Sequence, residues 1–395
     1  NPNMFISQPI EKRLDQNVNI RIEGLNSYEE AELQAQTQDA KNITWISKAK
    51  FKANKRGIVD LSSCQPSKDS SYIEVDEMGL FWSMLPTSGN HFSSYKCKQN
   101  QISTDIKLFV NGKKIANQTI LRYLKTPDVK QKNIRENNLV GTLFIPPSNK
   151  PLPLIITLSG SNGGLSENRA KLLASNGFAV LSLAYFGIEN LPITLQKIPL
   201  EYFETAFHWI KKQSSIIDSS RVGLYGVSRG AELSLLLGSI FPDSIQAIVA
   251  VSPSSVVYSA IDNPNTDAWI YHNKQILPYA PVFEIIFSDE IGKSPEVPAN
   301  TYQNFLEGMK DENAFSKASI PVEKIKCPLL IISGGDDQMW PSKFYCQKII
   351  NRLQKYHSTI DYQHINYPKA GHGINIPNLP IPFPTYYHPI AKLWF

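Results

Sequence analysis

Cysteine is scarce in this chain: four residues in 395, none arranged as a C-x-x-C pair. Cys64 and Cys97 fall in the N-terminal third and Cys327 and Cys346 in the C-terminal third. That spread permits one bridge per half, but free buried thiols are the simpler expectation. There is no H-E-x-x-H element and no Cys/His cluster, so zinc chemistry lacks its ligands. No apolar run reaches the roughly 18 residues that a membrane-spanning helix needs. Lysine and arginine nowhere form a block, and the net charge of +5 is mild for this length. Neither a nucleic-acid partner nor a polybasic membrane anchor follows from it. The one Gly-rich stretch, Ser159 to Gly164, is not followed by G-K-[ST] and lacks the spacing of a dinucleotide fingerprint. No cofactor is therefore called for. The chain opens on Asn1 rather than methionine. Removal of an upstream segment is the expectation, which leaves a processed or exported protein open beside a cytoplasmic location by default.

What is present is enough apolar material for a sizeable core, at 42% hydrophobic against 19% charged, in a chain long enough for two domains. Up to about residue 130 the pattern is of strands between turns. Asn17 to Glu23 and Thr44 to Phe51 alternate apolar with polar residues, and Gly79 to Leu85 and Asp105 to Val110 follow. The last leads into Asn111-Gly112, a dipeptide suited to a tight hairpin. These signs predict an all-β sandwich over residues 1–130. From 131 onward strands and helices alternate. Leu139 to Ile145, Leu152 to Leu158, Phe178 to Leu183, Arg221 to Tyr225, Ile245 to Val251, Pro328 to Ile332 and Ile360 to Ile365 read as strands. Glu167 to Ser175, Leu200 to Lys212 and Ser342 to Gln354 read as helices. Such repetition predicts an α/β domain over 131–395, with a mainly parallel sheet and helices on both faces. Residues 252–325 are too long for a simple connection and are expected to form a lid or insertion.

The chemistry is carried by Gly226-Val227-Ser228-Arg229-Gly230, a G-x-S-x-G element between an apolar strand and a helix-forming run. A nucleophile at a sharp strand-to-helix turn needs small residues two before and two after it, and gains from the positive end of the helix dipole. Ser228 is the predicted nucleophile. Its acid should follow a later strand, where Ser333-Gly-Gly-Asp-Asp337 supplies two carboxylates. Asp337, four residues before Pro341, is favoured, with Asp336 as a turn residue. The base should come last, and His372 stands in the Gly-flanked run Lys369-Ala-Gly-His-Gly373 after the final strand. The order Ser, Asp, His suits the α/β-hydrolase fold and neither the chymotrypsin nor the subtilisin order. His91, His208, His272, His357 and His364 lack that loop context. The oxyanion formed on attack calls for two backbone donors: the N–H of Arg229 and one from the loop after Leu158, assigned to Ser161.

Beyond the triad, the chain resembles the acyl-CoA thioesterase / bile acid-CoA:amino acid N-acyltransferase family. The likeness rests on Met78-Gly-Leu-Phe-Trp82, Gly163-Gly-Leu165, Arg169-Ala170, Gly177-Phe-Ala-Val180 and Leu200-Glu-Tyr-Phe-Glu204. Gly371-His372 with Ile374, Pro377 and Pro380 completes it. The resemblance implies an immunoglobulin-like N-terminal sandwich before an α/β-hydrolase domain. It also implies cleavage of acyl-CoA thioesters through an acyl-Ser intermediate, the partner being a small-molecule acyl thioester or ester. Relatives that conjugate amino acids typically carry cysteine as nucleophile, so Ser228 favours hydrolysis. A carboxylesterase or other serine hydrolase, and an N-acyltransferase, remain alternatives. The family pattern normally continues into a further C-terminal helix beyond the point at which this chain ends, and the stretch 252–325 departs from it.

Overall fold

The computed structural model describes residues 1–88, 94–282, 290–374, 376–380, 387–388 and 392–394. The chain divides into two compact units, Asn1–Pro127 with Ile376–Pro384, and Asp128–Asn375 with Thr385–Phe395. The sequence boundary at 130/131 had assigned residues 376–384 to the second domain. His91, one of the histidines set aside above, lies outside the described residues.

The first unit is β-rich, with a six-stranded and a three-stranded sheet. Its strands follow the period of two that side-chain alternation imposes. Glu30–Gln38 buries Ala31, Leu33, Ala35 and Thr37, and Thr44–Lys52 buries Trp45, Ser47, Ala49 and Phe51. The longest hairpin, Gln101–Val110 with Lys113–Tyr123, turns on Asn111 and Gly112, whose φ values of 50° and 77° are those a two-residue primed turn requires. The stretch Gly79 to Leu85 was expected as a strand and is not one. Gly79–Trp82 forms a single helical turn instead. Asp76 explains it: its carboxylate accepts from the Met78 N–H at 2.8 Å and from Trp82 Nε1 at 2.9 Å, gathering the turn locally. Residues 376–380 are tied to this unit by Arg122, which is fully buried over the Phe81 ring and donates to the Asn378 carbonyl at 3.1 Å.

The second unit is built on an eight-stranded sheet. In chain order its strands are β1 (Lys130–Ile134), β2 (Val140–Ile145), β3 (Leu152–Leu158), β4 (Ala179–Ala184), β5 (Ile217–Val227), β6 (Ala247–Val251), β7 (Leu329–Gly334) and β8 (Tyr362–Tyr367). Their spatial order is β1-β2-β4-β3-β5-β6-β7-β8. β1 and β2 pair antiparallel, as do β2 and β4, and every later pair is parallel. This is the α/β-hydrolase fold. The central strands are apolar because helices cover them: β4 is buried along its whole length. The longer helices of this unit are α1 (Glu167–Ser175), α2 (Glu201–Lys211), α3 (Arg229–Ile240) and α4 (Ser342–Lys355), of which α3 directly follows Ser228 and α4 carries Ser342, a partner of Asp337. α3 carries Leu233, Leu235, Leu236 and Leu237, all fully buried in the main core.

The stretch 252–325, expected as a lid, is in large part a wall. Val256, Val257, Tyr258, Trp269, Phe315, Ala318 and Ile320 are buried in the same core as the sheet. Within it Trp269–Tyr271 pairs in parallel with Ile198–Pro199. Of the cysteines, none of which is bridged, Cys327 and Cys346 are buried as expected, whereas Cys64 and Cys97 are only partly so. No helix among the described residues is long and apolar enough to cross a membrane.

Candidate active site

Parallel strands deliver the residues that follow them to one edge of the sheet, and ligand sites in such folds lie at the carboxyl ends. Ser228 directly follows β5, Asp337 lies just beyond β7, and His372 lies just beyond β8. Ser228 sits at φ 58°, ψ −121°, a strained position for a residue with a side chain, costing on the order of 1–3 kcal/mol. Its neighbours show why the turn needs glycines. A Cβ on Gly226 would meet the Gly230 carbonyl oxygen at 2.1 Å, and one on Gly230 would meet the Ser159 oxygen at 2.4 Å. The backbone is anchored by the Ser228 N–H donating to the Val251 carbonyl at 2.9 Å, while the Ser228 carbonyl opens α3 by accepting from Ala231 and Glu232.

The three side chains meet. His372 Nε2 lies 2.8 Å from Ser228 Oγ and His372 Nδ1 lies 2.8 Å from Asp337 Oδ2. A carboxylate can only accept, so Nδ1 carries the proton and Nε2 is left to accept from the serine hydroxyl. Asp337 is almost wholly buried and accepts from three further donors: Met339 N at 2.9 Å, Trp340 N at 3.2 Å and Ser342 Oγ at 2.7 Å. These donors compensate for the burial of its charge. Asp336, the rival carboxylate, is exposed and accepts only from Gln338 Nε2 at 2.9 Å among the described residues.

His372 is held from behind. Ser252 Oγ donates to the His372 carbonyl at 2.7 Å, and the Trp340 ring stands edge-on to the imidazole, 5.6 Å between centroids. Gly334 lets the two loops approach, since a Cβ there would lie 2.2 Å from the Gly371 oxygen. The other sequence-weighed histidines in the described residues stand apart from this constellation. His364 bonds Ser333 Oγ at 2.8 Å within the sheet, and His208, His272 and His357 are exposed.

Of the residues assigned to an oxyanion hole, Arg229 directly follows Ser228, and Ser161 follows Gly160. Gly160 faces the nucleophile, so that a Cβ built there would be 3.3 Å from Ser228 Cβ and 3.9 Å from the Arg229 nitrogen. Among the described residues neither the Ser161 nor the Arg229 backbone N–H is engaged by a backbone carbonyl. The Arg229 side chain points away into a buried polar knot. Its guanidinium donates to the Ser259 and Tyr258 carbonyls, both at 3.0 Å, and pairs with Glu232 at 3.0 Å. Glu232 also accepts from Trp269 Nε1 at 2.6 Å. Burial pushes the Glu232 carboxyl up, against the opposing pull of Arg229. The knot fastens the first turn of α3 to the 252–325 wall.

Comparison with known proteins follows the same outline. Residues 198–395 match the family described as BAAT / acyl-CoA thioester hydrolase C terminal, and residues 15–136 match acyl-CoA thioester hydrolase/BAAT N-terminal region. The chain belongs to this family. Mouse acyl-coenzyme A amino acid N-acyltransferase 2 is 32% identical over 392 residues, 97% of this chain and 89% of the relative. Mouse acyl-coenzyme A thioesterase 6 is 31% identical over 389 residues, 96% and 87% respectively. Rat acyl-coenzyme A thioesterase 1 is 30% identical over 372 residues, 93% and 84%.

One residue near this family member's site escaped the reading of the sequence. His388, the seventh histidine, is buried and lies with Nε2 2.5 Å from Ser161 Oγ. Burial, and then the neighbouring His372, lower its imidazole from the ordinary histidine value and so favour the neutral form. Its neighbours are prolines and aromatics without periodicity, and no motif distinguishes it in the sequence.

Proposed function

We propose that this protein hydrolyses acyl-CoA thioesters through an acyl-enzyme on Ser228. The observation that carries the reading is the unbroken hydrogen-bonded line from Ser228 Oγ through His372 to Asp337, with 2.8 Å at each step. His372 Nε2 takes the serine proton as Oγ attacks the thioester carbonyl carbon. The carbonyl oxygen, now an oxyanion, is received by the N–H groups of Arg229 and Ser161 at the N-terminal end of α3. Collapse breaks the C–S bond, and the imidazolium returns its proton to the departing CoA sulfur. A water molecule, deprotonated by His372, then attacks the acyl-Ser carbonyl, and the proton goes back to Ser228 Oγ as the free acid leaves. Asp337 keeps Nδ1 protonated throughout and stabilises the imidazolium.

The thioester is preferred over an oxygen ester because the family match spans both units of the chain and relatives at 30–31% identity are named acyl-CoA thioesterases. A second reading has its own support: relatives at 32% identity are named acyl-coenzyme A amino acid N-acyltransferases. An amine would then replace water in the second half-reaction. The test is a panel of acyl-CoAs of several chain lengths and matched p-nitrophenyl esters, assayed with wild type and Ser228→Ala, with and without glycine or taurine. The expected result is free acid and CoA from the acyl-CoAs and none above background with Ser228→Ala. A conjugate as the main product would move the assignment to acyl transfer, and turnover confined to oxygen esters would move it to a carboxylesterase.

A further inference from the structure

The loop after β3 is assigned a demanding task. Its Ser161 N–H must be aimed at an oxygen that carries full charge only in the transition state, and a misplacement of about 1 Å at such a donor costs on the order of 10²-fold in rate. The loop's own bonds are few: the Gly163 N–H donates to the Gly160 carbonyl at 3.2 Å and Ser159 Oγ to the Gly164 carbonyl at 3.4 Å. The loop is rich in glycine, and Gly163 and Gly164 sit at positive φ of 67° and 71°. Something outside the loop has to hold it.

Two contacts do so. On one side Tyr185 donates its hydroxyl to the Ser159 carbonyl, which anchors the loop's first residue. On the other, Ser161 Oγ and His388 Nε2 share a hydrogen bond of 2.5 Å. His388 is only 4% exposed and is held in a short antiparallel pairing, Tyr387–His388 with Leu393–Trp394. That pairing is itself anchored: the Trp394 N–H donates to the Gly292 carbonyl at 2.7 Å, and the Ala299 N–H donates to the Trp394 carbonyl at 2.7 Å. A backbone-bonded frame therefore runs from residues 292–299 of the wall to the imidazole that grips Ser161.

We infer that His388 is a positioning residue for the oxyanion loop, acting through the Ser161 hydroxyl to fix the Ser161 N–H beside Ser228. The inference rests on the reading of Ser228 as nucleophile and Ser161 as oxyanion donor. It adds a residue that the Ser–Asp–His order and the G-x-S-x-G element do not reach. A neutral imidazole suits the task, since it can bond a hydroxyl without placing a second positive charge beside His372. A histidine that only filled space in this strand pairing would not need its ring nitrogen on a serine of this loop.

The test uses the full chain with palmitoyl-CoA and p-nitrophenyl butyrate, measuring kcat and KM separately for Ser161→Ala, His388→Ala, the double variant, His388→Gln and Ser228→Ala. Thermal unfolding of each reports folding. If His388 works through Ser161, each single variant lowers kcat by ~10-fold or more while KM moves little, short of the ~10²–10³-fold loss expected when an oxyanion donor is removed outright. The double variant falls no further than the worse single one, because both changes break one hydrogen bond. Glutamine, which keeps a side-chain partner for the hydroxyl, recovers part of kcat. The inference is overturned if His388→Ala keeps wild-type kcat, if the two losses multiply, or if His388→Gln and His388→Ala are equally impaired with lowered unfolding temperatures. Ser228→Ala separates the two levels. If it is inert while His388→Ala is unaffected, only the role of His388 falls; if it turns over at the wild-type rate, the nucleophile assignment falls and this inference with it.

Discussion

Asp337→Asn probes the site at the point where its hydrogen bonds leave least freedom. Oδ1 of Asp337 accepts from two backbone donors, Met339 N at 2.9 Å and Trp340 N at 3.2 Å. An asparagine must keep its carbonyl oxygen there, because its NH2 cannot face two N–H groups. The NH2 then takes the place of Oδ2, 2.8 Å from His372 Nδ1 and 2.7 Å from Ser342 Oγ. The serine hydroxyl can turn and accept, so that contact survives. The imidazole has no such choice. Its Nδ1 must become an acceptor, the proton moves to Nε2, and Nε2–H now points at Ser228 Oγ, where an acceptor is required. The general base is lost without loss of the fold. A wrong-tautomer defect of this kind lowers kcat by about 10⁴-fold, or about 5.5 kcal/mol at about 1.4 kcal/mol per factor of ten. The assay is steady-state turnover of an acyl-CoA, with KM and thermal unfolding measured alongside; both should change little. Asp336→Asn is the control. Its side chain accepts only from Gln338 among the described residues, and its kcat should stay within about threefold of wild type. If Asp337→Asn retains more than a tenth of wild-type kcat, or if Asp336→Asn is equally damaged, the assignment of the acid is wrong.

Other consequences follow from the packing around the nucleophile. Glu232→Ala leaves the Arg229 guanidinium buried without its counter-ion and Trp269 Nε1 without an acceptor. It should lose about 3–5 kcal/mol in denaturant unfolding, with Glu232→Gln milder because the acceptor for Trp269 remains; a loss under about 1 kcal/mol would show that the knot is not needed. Gly226→Ala places a methyl 2.1 Å from the Gly230 carbonyl oxygen, forcing β5 and α3 apart. We expect a destabilisation of about 1–3 kcal/mol or more, together with a kcat too low to follow by steady-state assay; a variant with normal unfolding and turnover would contradict the close approach.

Much of this architecture is legible in the sequence where one physical requirement dominates. β3 and β4 are apolar runs because they are covered on both faces, and the G-x-S-x-G element is spelled out because no side chain fits at Gly226 or Gly230. Order and loop context single out Ser228, Asp337 and His372, the three side chains that the fold brings into one hydrogen-bonded line. Elements shaped by exposure or by local polar contacts were not. β1, Lys-Gln-Lys-Asn-Ile, has four exposed residues and lies at the edge of its sheet, so its polar run gave no strand signal. Apart from Thr37, Glu30–Gln38 is made of Glu, Ala, Leu and Gln, good helix formers, and becomes a strand because Ala31, Leu33, Ala35 and Thr37 alternate onto a buried face. The turn at Gly79–Trp82 depends on the Asp76 carboxylate, and His388 on a pairing between residues with no repeating pattern. The length of 252–325 marks an insertion but suggests a lid; that it is a wall depends on tertiary contacts such as Glu232 with Trp269, which spacing does not encode.

The proposed mechanism requires that the hydroxyl of Ser228 become acylated. Treatment of the native protein with a fluorophosphonate, followed by peptide mass spectrometry, tests it most directly. One equivalent of phosphonyl adduct is expected on the peptide containing Ser228, with matching loss of acyl-CoA hydrolysis, and no adduct on denatured protein. Full inactivation with the label on another residue, or a native enzyme that turns over acyl-CoA while Ser228 stays unlabelled, would contradict it.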